Sequence, residues 1–295
     1  MTQQDRFNIS IIGERINPGF KSTKALFDNE DIPGIQALAV KQAEAGAEYL
    51  NVNVGARALT DPQFMVEVIR AIQAVVSVPL SFDFPSLPVQ ELCLKTYDQE
   101  RAGGRLPIVN SITEPRWELM DLYKLRPFKV IVMVSERMED GVARGNKTAD
   151  EMASTSKRAA LRLARDHGVK MDDIYLDMSV SAIIADTESL NAGTIEAIRR
   201  IGTDADLRGI HMMGGLSNIG QQLPPKAVDG SDLKHSLECA FLTITAPMGF
   251  DAILGTPWRD YHPLPEDNYV LTTYKTFLTQ TGMNALRAVR KFYRA

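Results

Sequence analysis

The chain has 295 residues, 44% of them hydrophobic and 24% charged, with a formal net charge of -4 at pH 7. That composition is enough to bury a core without crosslinks, and so small a charge gives no reason to expect a nucleic-acid backbone or an anionic membrane as partner. Two cysteines far apart, Cys93 and Cys239, and four scattered histidines offer neither a disulfide framework nor a metal-ligand spacing, so no protein-bound metal is expected and both thiols should be buried and free.

Along the chain, short apolar or β-branched runs recur at Asn8–Ile12, Glu48–Val54, Pro79–Phe82, Pro107–Val109, Phe128–Val134, Asp173–Leu176, Gly209–Met213 and Phe250–Leu254. Between them lie stretches with helical spacing, among them DIPGIQALAVKQAEAGA, PQFMVEVIRAIQAVV, TADEMASTSKRAALRLARDHG and SLNAGTIEAIRRIG. Several close on glycine, as helices commonly do. Thr148 before ADE and Asp186 before TESL read as helix caps. Strand–helix alternation demands a parallel sheet, and eight units over this length predict one α/β domain over residues 1–295, a single (β/α)8 TIM barrel. No glycine-rich dinucleotide turn follows an early strand, which argues against a doubly wound sheet. The opening MTQQDRFNIS is polar, and no run of about 18 uncharged apolar residues occurs, so a cytoplasmic protein is expected.

A barrel of this kind builds its site at the C-terminal ends of the strands. There the chain places Glu14 and Asn17, Asn51 and Asn53, Asp83, Asn110 and Ser111, Asp177, and the string Gly214-Gly215-Leu216-Ser217-Asn218. The set holds no nucleophile with an adjacent base and no lysine placed for imine formation; His211 lies inside its run. Carboxylates and carboxamides are suited instead to the edge of a flat heterocycle such as a pterin, since a carboxylate accepts two parallel hydrogen bonds and an amide both donates and accepts. The segment WRDYHPLPEDNY, following the last run directly, should lie over the mouth.

Six strings, IGERIN (Ile12–Asn17), LNVNVG (Leu50–Gly55), FDF around Asp83, IVNS (Ile108–Ser111), DIYLD (Asp173–Asp177) and GGLSNIGQ (Gly214–Gln221), resemble in order and spacing the pterin-binding methyltransferases, in particular the stand-alone methyltetrahydrofolate–corrinoid methyltransferases. The resemblance implies that Asp83, Asn110 and Asp177 hold the pterin, that Gly215, Ser217 and Gln221 line the site, and that the catalytic residue Asn218 hydrogen-bonds near N5, the nitrogen carrying the methyl group. Glu14 and Asn17 follow the first strand, placed to orient the network or face the corrinoid; Lys226 is the nearest match to the basic residue that follows the seventh-strand motif in relatives, either meeting the glutamyl tail or standing as a solvated loop lysine. Many relatives carry Asp where this chain has Asn51 and Pro where it has Met178.

The implied reaction moves a methyl group between N5 of tetrahydrofolate and the cobalt of a corrinoid. No Asp-x-His-x-x-Gly string of a cobalamin-carrying domain occurs, so the corrinoid (free cobalamin or a separate corrinoid protein) is expected in trans, with a homodimer as the assembly. A dihydropteroate synthase-like enzyme is the alternative within the fold, but no Arg-x-His follows the last run; a non-catalytic folate-binding protein would have no use for Asn218.

Overall fold

The computed structural model describes residues 6–294; the opening MTQQD and the final Ala295 lie outside them. The barrel strands are β1 (Ser10–Ile16), β2 (Tyr49–Val52), β3 (Leu80–Asp83), β4 (Ile108–Ile112) and β5 (Lys129–Met133); after a hairpin, β6 (Glu136–Glu139) and β7 (Val142–Gly145), come β8 (Ile174–Asp177), β9 (His211–Met213) and β10 (Ala252–Gly255). Eight of them form one parallel sheet in the order β10-β1-β2-β3-β4-β5-β8-β9. Isolated parallel bridges Met212–Phe250 and Gly215–Leu254 bring its two ends together, which closes the predicted barrel.

Several of the helices between successive strands start where the sequence supplies a side-chain cap. Asp31 accepts from the Gly34 amide ahead of Ile32–Glu44, and Asp61 from Phe64 ahead of Pro62–Val75. Thr148 and Glu151 form a reciprocal capping box at the start of Ala149–His167, as expected. Asp186 serves its helix differently: it is buried and accepts from the amides of Leu190 and Asn191, reaching them from outside the N-cap position held by Ser189. Each helix turns an apolar face to the outside of the barrel, and the main core lies in that layer.

Inside the barrel a second, smaller cluster of Ile12, Tyr49, Ile108, Ile131, Tyr175, Met213 and Ala252 plugs the interior. This plug decides where the polar residues go. Side chains alternate faces along a strand, so the residue two positions further toward the C-terminal end also points inward. From the plug that step leads to Glu14, Asn51, Asn110, Met133, Asp177 and Gly215, and from Ser81 it leads to Asp83.

Two expectations are corrected, and one element is new. β1 runs on through Ile16, so Glu14 lies within the strand; the register with β2 shifts between Gly13 and Ile16. The hairpin β6–β7 was not foreseen, although its turn Asp140-Gly141, with φ of 51° and 77°, is the Asp-Gly pair that two-residue hairpin turns favour. His211 opens β9 at the opposite end of the barrel from the site, stacked on Tyr175 and 2.7 Å from Asp251. Both cysteines are free and buried, as expected.

Candidate active site at the barrel mouth

The wall from β2 to β4 carries a chain of amides ending on one carboxylate. Asn110 donates to Asn51 Oδ1 at 3.2 Å, Asn51 donates to Asp83 Oδ2 at 2.9 Å, and Asn53 donates to the same oxygen at 3.2 Å. Asp83 and Asn110 are register partners across β3 and β4, so both side chains emerge at one level. The two amides occupy Oδ2 of Asp83 and leave Oδ1 for a ligand. Burial raises the Asp83 carboxyl above the ordinary carboxylate range, and the Asn51 and Asn53 hydrogen bonds pull it partly back.

Gln90, fully buried in the helix Leu87–Thr96, holds this wall from behind: its amide donates to the main-chain oxygens of Phe82, Phe84 and Asn110 at 2.8, 2.9 and 3.3 Å.

Across the mouth, at the end of β8, stands Asp177. Its Oδ1 accepts the Ser179 amide at 2.8 Å, and Ser179 adopts φ of 54° to present that N–H. Burial raises the Asp177 carboxyl to about 6, against the Ser179 bond and with a further push from Asp83. Two carboxylates facing one cavity with few cations attract hydrogen-bond donors, and the N–H edge of a pterin supplies them. Met178, where relatives carry Pro, is fully buried and does not face the cavity.

The third part of the site is the turn after β9. Gln221 Nε2 donates to Asn218 Oδ1 at 2.6 Å, which leaves Asn218 Nδ2 free to donate. Gly215 lies directly beneath it: a Cβ there would stand 3.2 Å from Asn218 Nδ2 and displace that side chain by a few tenths of an ångström. Ser217 faces the other way and donates to Glu14 Oε2 at 3.0 Å.

Glu14 is 6% exposed and accepts a second hydrogen bond, from Thr256 Oγ1 at 3.1 Å. Burial lifts its carboxyl to about 7, opposed by Ser217 and Thr256. Thr256 in turn donates its amide to the Tyr261 hydroxyl at 3.1 Å, so the segment after β10 does pack over this side of the mouth. Thr256 and Tyr261 were not foreseen. Thr256 follows β10 immediately, so the strand-end rule that selected the others would have selected it too.

The structure thus brings together Glu14, Asp83, Asn110, Asp177, Gly215, Ser217, Asn218 and Gln221 on one barrel face. Two predicted residues stand apart. Asn17 spends its side-chain oxygen on the Gly19 amide at 2.8 Å, a turn role that a residue after a strand often has. Lys226 is exposed in the loop beyond the β9 turn, its backbone bridged to Asp232, and among the described residues it bonds to no other candidate. A separate groove of about 480 Å³ between the hairpin and the helix Ala149–His167 lies outside the barrel. Its acidic group, Glu114, is already matched by Arg158 and the Met138 amide.

The sequence profile of the family described as pterin binding enzyme matches residues 14–254, from Glu14 to the last strand. A methylcorrinoid:tetrahydrofolate methyltransferase from Eubacterium limosum is 26% identical over 264 residues, covering 84% of each chain. Among solved structures, the dihydropteroate synthase of Xanthomonas albilineans with 4-aminobenzoic acid superposes with a TM-score of 0.60 at 15% identity, covering 97% of this chain and 94% of that one. Dihydropteroate synthase from Clostridium difficile in the presence of pteroic acid gives 0.55 at 18% identity over the whole of both chains. At such identities these likenesses concern the fold, whereas the profile match spans every strand of the site: the chain belongs to the pterin binding enzyme family.

Proposed function

We propose that the barrel mouth binds a reduced folate through its pterin ring and transfers the N5-methyl group to or from the cobalt of a corrinoid, supplied as free cobalamin or on a separate corrinoid protein. The observation that carries this reading is the Asn218–Gln221 pair. In a pocket otherwise built of carboxylates and amides for a pterin edge, it holds one amide donor with its oxygen already occupied. The Eubacterium relative's name describes the same chemistry.

In this reading Asp177 and Asp83 Oδ1 accept the donors of the amino-pyrimidinone edge and Asn110 completes the ring contacts. Asn218 donates to N5. Transfer toward cobalt breaks the methyl carbon–N5 bond and forms a carbon–cobalt bond with the cobalt's electron pair; the electrons of the broken bond stay on N5, which takes up one proton from solvent to give tetrahydrofolate. A tertiary amine is a poor leaving group, and a donor at N5 stabilises it as it departs. Glu14, titrating near 7, positions Ser217 and Thr256 beside that turn. At the rim Trp258, 39% exposed, lies under Lys41 and near Arg15, and we place the corrinoid on this side.

Among the described residues no helix is long and apolar enough to cross a membrane. A cytoplasmic homodimer is the assembly we propose. The decisive experiment is an anaerobic spectral assay with methyltetrahydrofolate and cob(I)alamin, then with methylcobalamin and tetrahydrofolate. Conversion between the cob(I)alamin and methylcobalamin spectra in at least one direction is expected; no conversion in either, with folate shown to bind, would refute the reading.

A pH dependence follows from Asp177. Only its ionised form accepts two pterin donors, so folate affinity should be full above pH 6 to 7 and fall about tenfold per unit below about 6. The ligand-free protein should respond with the opposite sign. Because the folded carboxyl keeps its proton to about 6 while the unfolded one releases it near 3.8, stability declines as pH rises through that window. Calorimetric titrations at pH 5, 6 and 7 check the first statement; affinity independent of pH would mean that Asp177 does not meet the ring.

A further inference from the structure

Outside the pterin cavity, one donor atom from each of His235, Cys239 and His262 lies within 4.8 Å of the other two. His235 and Cys239 stand one turn apart on the helix Leu233–Thr245, and positions four apart share a helix face. His262 arrives from the segment after β10. The Cys239 sulfur is 3.7 Å from His235 Nε2. A tetrahedral zinc with ordinary Zn–S and Zn–N lengths would separate those two atoms by ~3.6 Å, so they already stand at the spacing of a metal pair.

The surroundings match as well. Glu238, buried and bound by Arg259, places Oε2 3.5 Å from His235 Nδ1. A carboxylate behind the remote ring nitrogen is the arrangement that orients a metal-bound histidine and leaves its other nitrogen to the ion. The Asp260 main-chain oxygen lies 3.0 Å from His235 Nε2 and 2.8 Å from His262 Nδ1, against the same donor set, where it or a water could be the fourth ligand. One thiolate and two neutral imidazoles leave zinc one positive charge, next to the Glu238 carboxylate. Packing alone accounts for a buried cysteine, but not for two imidazoles converging on it with a carboxylate behind one of them.

We propose that His235, Cys239 and His262 form a zinc site that clamps the segment following the last barrel strand onto the helix Leu233–Thr245. The clamp acts on the active site at one remove. That segment carries Tyr261, whose hydroxyl holds the Thr256 amide, and Thr256 holds Glu14. The ion is therefore a positioning element and touches neither the pterin nor the methyl group. Its ligands must shed protons to bind it, so affinity rises with pH.

The test begins with full-length protein stripped by a chelator and titrated with zinc against a chromophoric competitor. One zinc per chain is expected. Cobalt(II) in its place should give a thiolate-to-cobalt charge-transfer band, absent in Cys239→Ser. His262→Gln, altered at a half-buried loop position, should weaken zinc binding about 100-fold while the melting temperature of the zinc-free variant stays near that of zinc-free wild type. Removing zinc should speed hydrogen exchange at the amides of residues 256–261 while methyltetrahydrofolate still binds, since Asp83, Asn110 and Asp177 stand on other strands. No stoichiometric zinc on folded wild-type protein, a charge-transfer band that survives Cys239→Ser, or unchanged affinity in His262→Gln would each overturn the site. Loss of folate binding with the zinc would overturn its separation from the pterin cavity.

Discussion

Asn218→Ala should lower the rate of methyl transfer by about 10²–10³-fold, the usual effect of removing one preorganised donor at a developing charge. Folate affinity should change by no more than about tenfold, because a neutral ground-state hydrogen bond contributes only about 0.5–1.5 kcal/mol. The asymmetry follows from when charge appears: N5 accepts most strongly as the methyl group leaves, and Asn218 is already oriented for that moment by Gln221. The side chain is exposed and lies on a 3-10 turn, so its truncation leaves no cavity and the fold should be unaffected. Single-turnover transfer to cob(I)alamin, measured beside an equilibrium folate titration of the same variant, separates chemistry from binding. A saturated variant that transfers at the wild-type rate would reduce Asn218 to a pterin contact.

Asp177→Ala should weaken folate binding by about 1–3 kcal/mol more than Lys226→Ala, because a bidentate contact inside the cavity outweighs a contact from an exposed lysine. Removing the carboxyl also orphans the Ser179 amide, so part of any loss could come from the loop. Asp177→Asn separates the two effects: its side-chain oxygen still accepts from Ser179, while its nitrogen presents a donor to the donors of the ring. Weakened binding in both variants, with melting temperatures near wild type, locates the effect in recognition. Calorimetry that ranks Lys226 above Asp177 would refute the pocket assignment.

The barrel was legible because its signals are local. Eight apolar runs alternating with helical spacing admit few parallel topologies, and caps such as Thr148 lie beside the helices they start. The site was legible for a related reason: once the strand ends are known, the period of two along each strand sends Asp83, Asn110 and Asp177 inward at one face. The hairpin at Asp140-Gly141 carries a signal just as local, the Asp-Gly pair itself.

What only the tertiary structure decided are pairings between residues far apart in the chain, whose energy depends on burial and distance rather than on neighbours in sequence. Asn17 and Asn110 are alike as letters after a strand, yet one closes a turn on Gly19 and the other joins a chain of amides ending on Asp83. Glu14 meets Ser217 and Thr256 across 203 and 242 positions, and burial there moves its carboxyl to about 7. His235 and His262, which spacing kept apart, meet at Cys239 because the segment after the last strand folds back over a helix. Sequence alone determined which residue types reach the mouth, since strand periodicity sets the direction of each side chain; closing the barrel decided which of them touch, and with that their charge and their roles.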